Sequence, residues 1–399
     1  MKKRLLPFCF LLAVTANAQQ TIHSVSNGNA SNPFVWDCLC FPTTDDFIYV
    51  DHQITMDVDW AVLSGGKIEV SVGGSLVQDA DRQLLVDGAG SQFIVHGAAG
   101  FTDIAFTNGS SGSNDGQFSV DKGLYFGNGT TFTNSTTISG IDSLLTEGTF
   151  TNSGSFYVGN FLNTGTFTNT GHIASDSMGN TGTFNANGGY LTIATFGSTG
   201  TFTMANSGFM DVSGNWYNAG DFTIGSGLSL FVGGDAYTGD TLGGSATLTN
   251  NGGMAVAGDF GSSDDVNGSG DICVGNDSYN VGVITGTLDF CDATGNDFDV
   301  NLGTIAGTVT YCTSGCSLGI NEEAASEVSV YPNPASTILY IEGSTAFETA
   351  RFYTMAGSLV KETALSGNAI DLSGIPKGLY LVELAGTQAG KATVRVAVD

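Results

Sequence analysis

Between residues 130 and 225 the chain repeats a short hydrophobic–polar pattern at a nearly constant interval. The copies read TFTN (131–134, 149–152 and 166–169), TFNA (183–186), TFTM (201–204) and DFTI (221–224). They centre on Phe132, Phe150, Phe167, Phe184, Phe202 and Phe222, whose numbers rise in steps of 18, 17, 17, 18 and 20. Leu248, in TLTN (247–250), extends the series after a longer loop. Alternation of apolar and polar positions is the period of a half-buried strand. Further β-prone pieces lie between the copies: SFYVG (155–159), YLTIA (190–194), FMDVSG (209–214), LSLFVGG (228–234) and MAVAG (254–258). Gly, Asn and Ser punctuate them, as strand boundaries require. Not one Pro falls between Pro42 and Pro332, which suits ladders that need every amide.

A period near 18 is too short for helix-pair repeats and fits one coil of a parallel β-helix with three short strands. A single coil cannot bury its Phe. Stacking coils about 4.8 Å apart places each Phe over the last, and each buried ring then contributes roughly 1.5–3 kcal/mol. Asn134, Asn152 and Asn169 recur at the following turn, where their amides can bond up the stack as a ladder. An antiparallel sandwich would show no fixed coil period. At the strand spacing, residues 60–310 correspond to about 14 coils and a rod about 65 Å long. A right-handed coil is expected, because the steps drift instead of locking into hexapeptides. The composition agrees with a folded repeat. Gly is abundant at 58 residues, but 26 Phe and 41% apolar residues are too many for a disordered chain.

The first residues read as an export signal, 1–18. Lys2, Lys3 and Arg4 precede a short apolar run, Leu5 to Val14, and Ala16-Asn17-Ala18 offers a peptidase site. No stretch is long enough to span a bilayer as a helix. Cleavage before Gln19 removes three of the 11 basic residues and none of the 38 acidic ones, moving the net charge from −27 to −30. No Lys or Arg lies between Lys122 and Arg351. Nucleic acid, bound chiefly through basic side chains, is excluded as a partner, and an anionic membrane surface is disfavoured. The acidity serves solubility and repulsion between copies; divalent cations are the sharper alternative.

The segment 30–57 contains Trp36, Pro42, Asp46, Ile48 and Val50. It resembles an opening found before secreted β-helices, in which W-x5-P leads into an alternating strand. Residues 19–60 are therefore expected to cap the rod and lead into it, covering an edge that would otherwise template aggregation. The solenoid is then expected over 61–320.

Six cysteines remain after cleavage: Cys38, Cys40, Cys273, Cys291, Cys312 and Cys316. An even number in a secreted chain points to disulfides. Cys273 and Cys291 are one coil apart and can stack within bonding range. Cys312 and Cys316 can close a small loop, leaving Cys38 with Cys40. Zinc is disfavoured because His23, His52, His96 and His172 show no ligand spacing.

The composition changes after Asn321. NEEAASE (321–327) reads as a linker, and five of the eight remaining basic residues lie beyond it. VSVYPNPASTILYIEG (328–343), ARFYTMAGSLVKE (350–362), IDLSGIPKGLYLVEL (370–384) and KATVRVAV (391–398) suggest the strands of a small Ig-like β-sandwich over 328–399. These elements closely resemble the type A C-terminal sorting domain of the Bacteroidetes type IX secretion system. The resemblance implies recognition by the secretion machinery, export across the outer membrane, and a surface or extracellular location. It assigns the recognition fold to Tyr331, Pro332, Asn333, Pro334, Gly357, Asp371, Leu372, Gly378 and Tyr380.

Chemistry is sparse. Polysaccharide lyases need a basic residue or a cation at the scissile uronate; the repeat coils hold no Lys or Arg, and only His172 offers a base. Glycosidases need two carboxylates about 5–10 Å apart. Asp57 with Asp59, on one strand face, Asp264 with Asp265, and Asp235 with Asp259 are the candidate pairs. Asp265, Asn267, Ser269 and Asp271 alternate as in a calcium loop, but Asn276 stands where the bidentate Glu belongs. Asp142-Ser143-Leu144, Asp176-Ser177-Met178 and Asp240-Thr241-Leu242 resemble O-glycosylation acceptors of that phylum, a number chance alone can supply. No nucleophile-elbow, P-loop or zincin motif is present. The sequence therefore predicts a surface β-solenoid without catalytic residues or cofactor, adhesin-like or structural, contacting glycans or other surface components. A carbohydrate-active β-helix enzyme is the alternative.

Overall fold

Phe132 of one coil packs over Phe150 of the next, and that register organises the whole N-terminal unit. The computed structural model describes residues 19–80, 82–240, 245–295, 297–314, 329–342, 347–354, 359–365, 367–386 and 390–398. One unit ends at Leu318 and a second begins at Gly319. The expected signal peptide, Cys316, the 321–327 linker and Gly357 lie outside the described residues.

The first unit is a parallel β-solenoid with three faces. Its first face is a 15-stranded parallel sheet. The inward column of that sheet runs Ile22, Ile48, Ile68, Phe93, Gly112 and Phe132. It continues through the five further Phe of the repeat to Leu248, Val266, Ile284 and Ile305. Strands of nine or ten residues, such as His172–Asn180 and Thr137–Thr146, turn the corner between the second and third faces. Later coils break the same path into pairs such as Phe209–Val212 and Trp216–Asn218. Both faces point their own apolar columns inward, for example Ile138, Phe156 and Ile173 on the second and Leu144, Phe161 and Met178 on the third.

The rungs begin at Thr21, inside the segment expected to be cap. Thirteen of them lie between residues 60 and 310, against the 14 expected. The early rungs escape a repeat search because Ile22, Ile48, Ile68 and Phe93 are unevenly spaced, with one short step between two long ones. The residues of the expected opening occupy this end. Trp36 is buried, donates from Nε1 to the Ala30 carbonyl at 2.9 Å, and meets Trp60 edge-on with centroids 6.0 Å apart. The buried Asp46 carboxylate accepts from the Gln20 amide at 2.9 Å and from the amide and hydroxyl of Thr43 at 2.7 and 2.8 Å.

Asn134, Asn152 and Asn169 form the expected ladder, and Asn114 extends it one coil earlier, each Nδ2 donating to the next Oδ1 at 2.7–2.8 Å inside the coil. A second ladder, not anticipated, follows the third face: Thr146 donates to Asn163 and Asn163 to Asn180, both at 2.8 Å. Amides of the first ladder also cap turn carbonyls such as those of Gly154 and Gly171. The buried ladder amides are therefore satisfied rung by rung.

Disulfides join Cys38 to Cys40 and Cys291 to Cys312. The second pairing corrects two expectations. Cys291 is in register with Cys273 on one side, but its bond goes to the rung on the other side, 21 residues on. Extra residues after Asp292 lengthen that last step, so the one-coil spacing pointed to the wrong neighbour. Cys312 is consequently not looped to Cys316.

The second unit holds a three-stranded antiparallel sheet (Ser329–Tyr331, Ile338–Glu342, Ala369–Asp371). A four-stranded antiparallel sheet adds Leu359–Ala364, Thr349–Thr354, Gly378–Gly386 and Gly390–Val398. Leu339, Phe352, Ile370, Val382, Leu384 and Val396 build its separate core.

Candidate functional surfaces

In the second unit the motif residues divide between core and surface. Leu372 and Tyr380 are buried, and the Tyr380 hydroxyl donates to the Pro376 carbonyl at 2.7 Å. The Asp371 carboxylate accepts from the Ser373 amide and hydroxyl at 2.9 and 2.7 Å, fixing the turn that follows; these bonds hold its pKa below the usual carboxylate range. Pro332, Asn333 and Pro334 lie exposed, with both X-Pro bonds cis. The Asn333 side chain accepts from the Ala397 amide at 2.8 Å, tying this turn to the last strand. Gly378 opens the Gly378–Gly386 strand, in register with Val398. Tyr331 is 51% exposed and stacks on exposed Tyr340 with centroids 5.7 Å apart. The motif thus builds a small antiparallel domain with an aromatic pair on its surface.

In the solenoid, the carboxylate pairs are employed in holding coils together. Asp57 and Asp59 lie between strands, not on one strand face: Asp57 accepts from Ser31 of the preceding coil, while Asp59 accepts from the Gln83 amide of the following one. Asp264 receives the amides of Asp240 and Ala246, whereas neighbouring Asp265 begins a strand. The Asp259 amide donates to Asp235 at 3.1 Å, and the Asp277 amide to Asp259 at 3.3 Å, a staircase one rung per step. The calcium-like residues are dispersed. Asp265 and Asn267 belong to the first sheet, Ser269 to the turn, and Asp271 to the second sheet, where the Ser314 hydroxyl donates to it at 3.2 Å. His172 stands on the second face edge-on to Tyr157 and 3.4 Å from the Thr192 hydroxyl.

A shallow groove of about 570 Å³ runs along the corner between the second and third faces, with Asp142, Asp176, Asp211 and Tyr157 in its lining. Ser143 and Ser177 are exposed at this corner, in one column with Asn160 between them.

The outer side of the third face carries a feature that sequence reasoning missed. Its central column is Ala61, Leu85, Ala105, Tyr125, Leu145 and Leu162. Two glycines follow, Gly179 and Gly197, and then Tyr217, Tyr237, Gly261, Tyr279 and Val300. No polar amide, hydroxyl of Ser or Thr, or charge occurs in that column, although a solvated sheet face ordinarily alternates toward polar residues. Tyr217 and Tyr279 are 47% and 40% exposed. The Tyr279 ring lies over Gly261, where an added Cβ would collide with the ring, and approaches Tyr237 with centroids 6.5 Å apart. Burial, then Tyr237 and the carboxylates of Asp259 and Asp235, raise the Tyr279 phenol above its ordinary pKa. The Asp235–Asp259–Asp277 staircase borders this strip. The only sequence signal was a residue between two inward ones in WYN (216–218), AYT (236–238) and SYN (278–280).

Solenoid and terminal domain together define an exported β-solenoid. Residues 329–399 match the family described as the secretion system C-terminal sorting domain. This segment is a type IX sorting domain, and it indicates export across the outer membrane to the cell surface or the extracellular space. No curated protein and no solved structure matches the chain. Among the described residues, no helix is long and apolar enough to cross a membrane.

Proposed function

We propose that the solenoid acts outside the cell as a passive, adhesin-like contact surface and carries out no catalysis. The observation supporting this reading is the use made of its carboxylates. Asp57, Asp59, Asp235, Asp259 and Asp264 each accept an amide of another coil or loop, so their first role is to join rungs. The exposed faces meanwhile present tyrosines, the side chain that combines apolar area with a polar tip at contact surfaces. The test compares cells secreting the full chain with cells lacking it, in adherence to glycan-coated and bare surfaces. The secreted full chain is assayed in parallel for release of reducing sugar. Loss of adherence without sugar release supports the contact role; unchanged adherence overturns it.

The corner groove favours a second reading, a glycosidase. Asp142 and Asp176 are two rungs apart with Gly159, between the paired Val158 and Asn160, on the intervening rung, roughly 9–10 Å at the strand spacing, near the separation of an inverting pair. Sugar release that disappears in Asp142→Asn and Asp176→Asn would establish that alternative.

A further inference from the structure

We propose that the outer third face binds a neutral, extended polysaccharide lengthwise, with Tyr217, Tyr237 and Tyr279 under successive sugar rings. The inference rests on the contact-surface reading and names the partner's chemistry. A solvated sheet face that stays apolar along its whole central column marks a contact site. Its spacing selects a linear repeat: rungs advance about 4.8 Å, close to the length of one hexopyranose in an extended chain. Gly261 is part of the construction, because only a residue without a side chain lets the Tyr279 ring lie across its rung toward Tyr237. The ring faces offer apolar area to the C–H faces of sugars.

The border sets the charge of the ligand. Asp235, Asp259 and Asp277 each use one carboxylate oxygen or amide in the staircase, and an ionised carboxylate only accepts hydrogen bonds. Hydroxyl groups supply the matching donors. No Lys or Arg lies between Lys122 and Arg351, so a uronate or sulfated chain would meet repulsion without a compensating cation. A second copy of this acidic strip would meet the same repulsion, which disfavours self-association through this face.

The test is affinity electrophoresis and calorimetry of the full chain with cellohexaose, mannohexaose and hexagalacturonate. A Tyr217→Ala/Tyr237→Ala/Tyr279→Ala variant is compared with a Tyr190→Ala control, an exposed ring on the second face outside the corner groove. All four side chains stand on outer faces, and circular dichroism checks that both variants fold. The expected result is binding of at least one neutral hexasaccharide, none of hexagalacturonate, at least tenfold weaker binding by the triple variant, and an unchanged control. Equal binding by the triple variant, preference for hexagalacturonate, absence of binding to both neutral probes, or a dimer in sedimentation that the triple variant abolishes would each overturn it. Expressing the triple variant in the adherence assay separates the two readings. If cells lacking the chain lose adherence while triple-variant cells keep it, the contact role stands and this site falls.

Discussion

Phe184 and Phe202 lie face to face, with ring centroids 4.7 Å apart and planes parallel, although a full coil of chain separates them. Phe167 stacks on the other side of Phe184 at 5.0 Å. Both faces of the Phe184 ring are therefore covered by rings that cannot collapse without disturbing their own coils. Phe184→Ala should leave a cavity and cost about 3–5 kcal/mol. Because neighbouring coils support one another in a quasi-one-dimensional stack, the loss should split the urea transition instead of only shifting it. Tryptophan fluorescence, reporting Trp36 and Trp60 at one end and Trp216 beyond the break, would detect the two phases.

Asn152 tests the ladder. It accepts from Asn134 and donates to Asn169, both at 2.7 Å, and it is fully buried. Asn152→Ala strands a donor on one side and an acceptor on the other, with a cost of about 1–3 kcal/mol for each unsatisfied group. Asn114→Ala, at the start of the ladder, should cost less, since only Asn134 loses a ladder partner. Denaturant midpoints of the two variants measured side by side check the order.

The Phe repeat made the fold legible because one ring recurs per coil once the coil is regular. Gly112 hides one rung from that search. In place of a ring it leaves room for Phe106 and Phe132, either of which an added Cβ would approach to 2.8 Å. Asn163 and Asn180 follow the coil period in NTG (163–165 and 180–182), so the second ladder was present in the sequence but overshadowed by the TFTN copies. The apolar column on the third face was not legible. A single residue between two inward ones carries no sign of what lies beside it until the register is known, and loops of unequal length conceal that register. The sorting domain was readable for the opposite reason: its turns require particular residues, such as Asp371 before Ser373.

The cysteine pairing makes a prediction of connectivity. Peptide mapping of the oxidised chain with an aromatic-directed protease, which cuts at Tyr279, Phe290, Phe298 and Tyr311 and so separates the three cysteines, should link Cys291 to Cys312, with no Cys273–Cys291 peptide. Cys312→Ser opens a loop of 21 residues, for which the chain-entropy contribution is about 3 kcal/mol. The destabilisation should be confined to the last rungs, where Asp289–Asp292 pairs with Thr310–Tyr311. Hydrogen exchange would show faster exchange there and unchanged protection around Phe167.

The same rungs should loosen in acid, because Asp289 holds the returning chain. Burial pushes its carboxyl pKa up, but the Ser314 hydroxyl and amide at 2.6 and 2.7 Å, the Thr310 hydroxyl at 2.8 Å and the Thr313 amide at 3.1 Å outweigh burial. The folded-state pKa is therefore held well below the ordinary carboxylate value. A depressed pKa means that the folded state favours the ionised form, so the stabilisation is fully present above the unfolded pKa of about 4 and is lost as pH falls below it. Asp289→Asn removes the charge while keeping an acceptor, and should weaken the latch at neutral pH and flatten its response between pH 6 and pH 3. Hydrogen exchange at residues 310–314 across that range checks both the direction and the flattening. An unchanged acid response in the variant would assign the loosening to other depressed carboxylates, such as Asp51 and Asp57 at the opposite end of the solenoid.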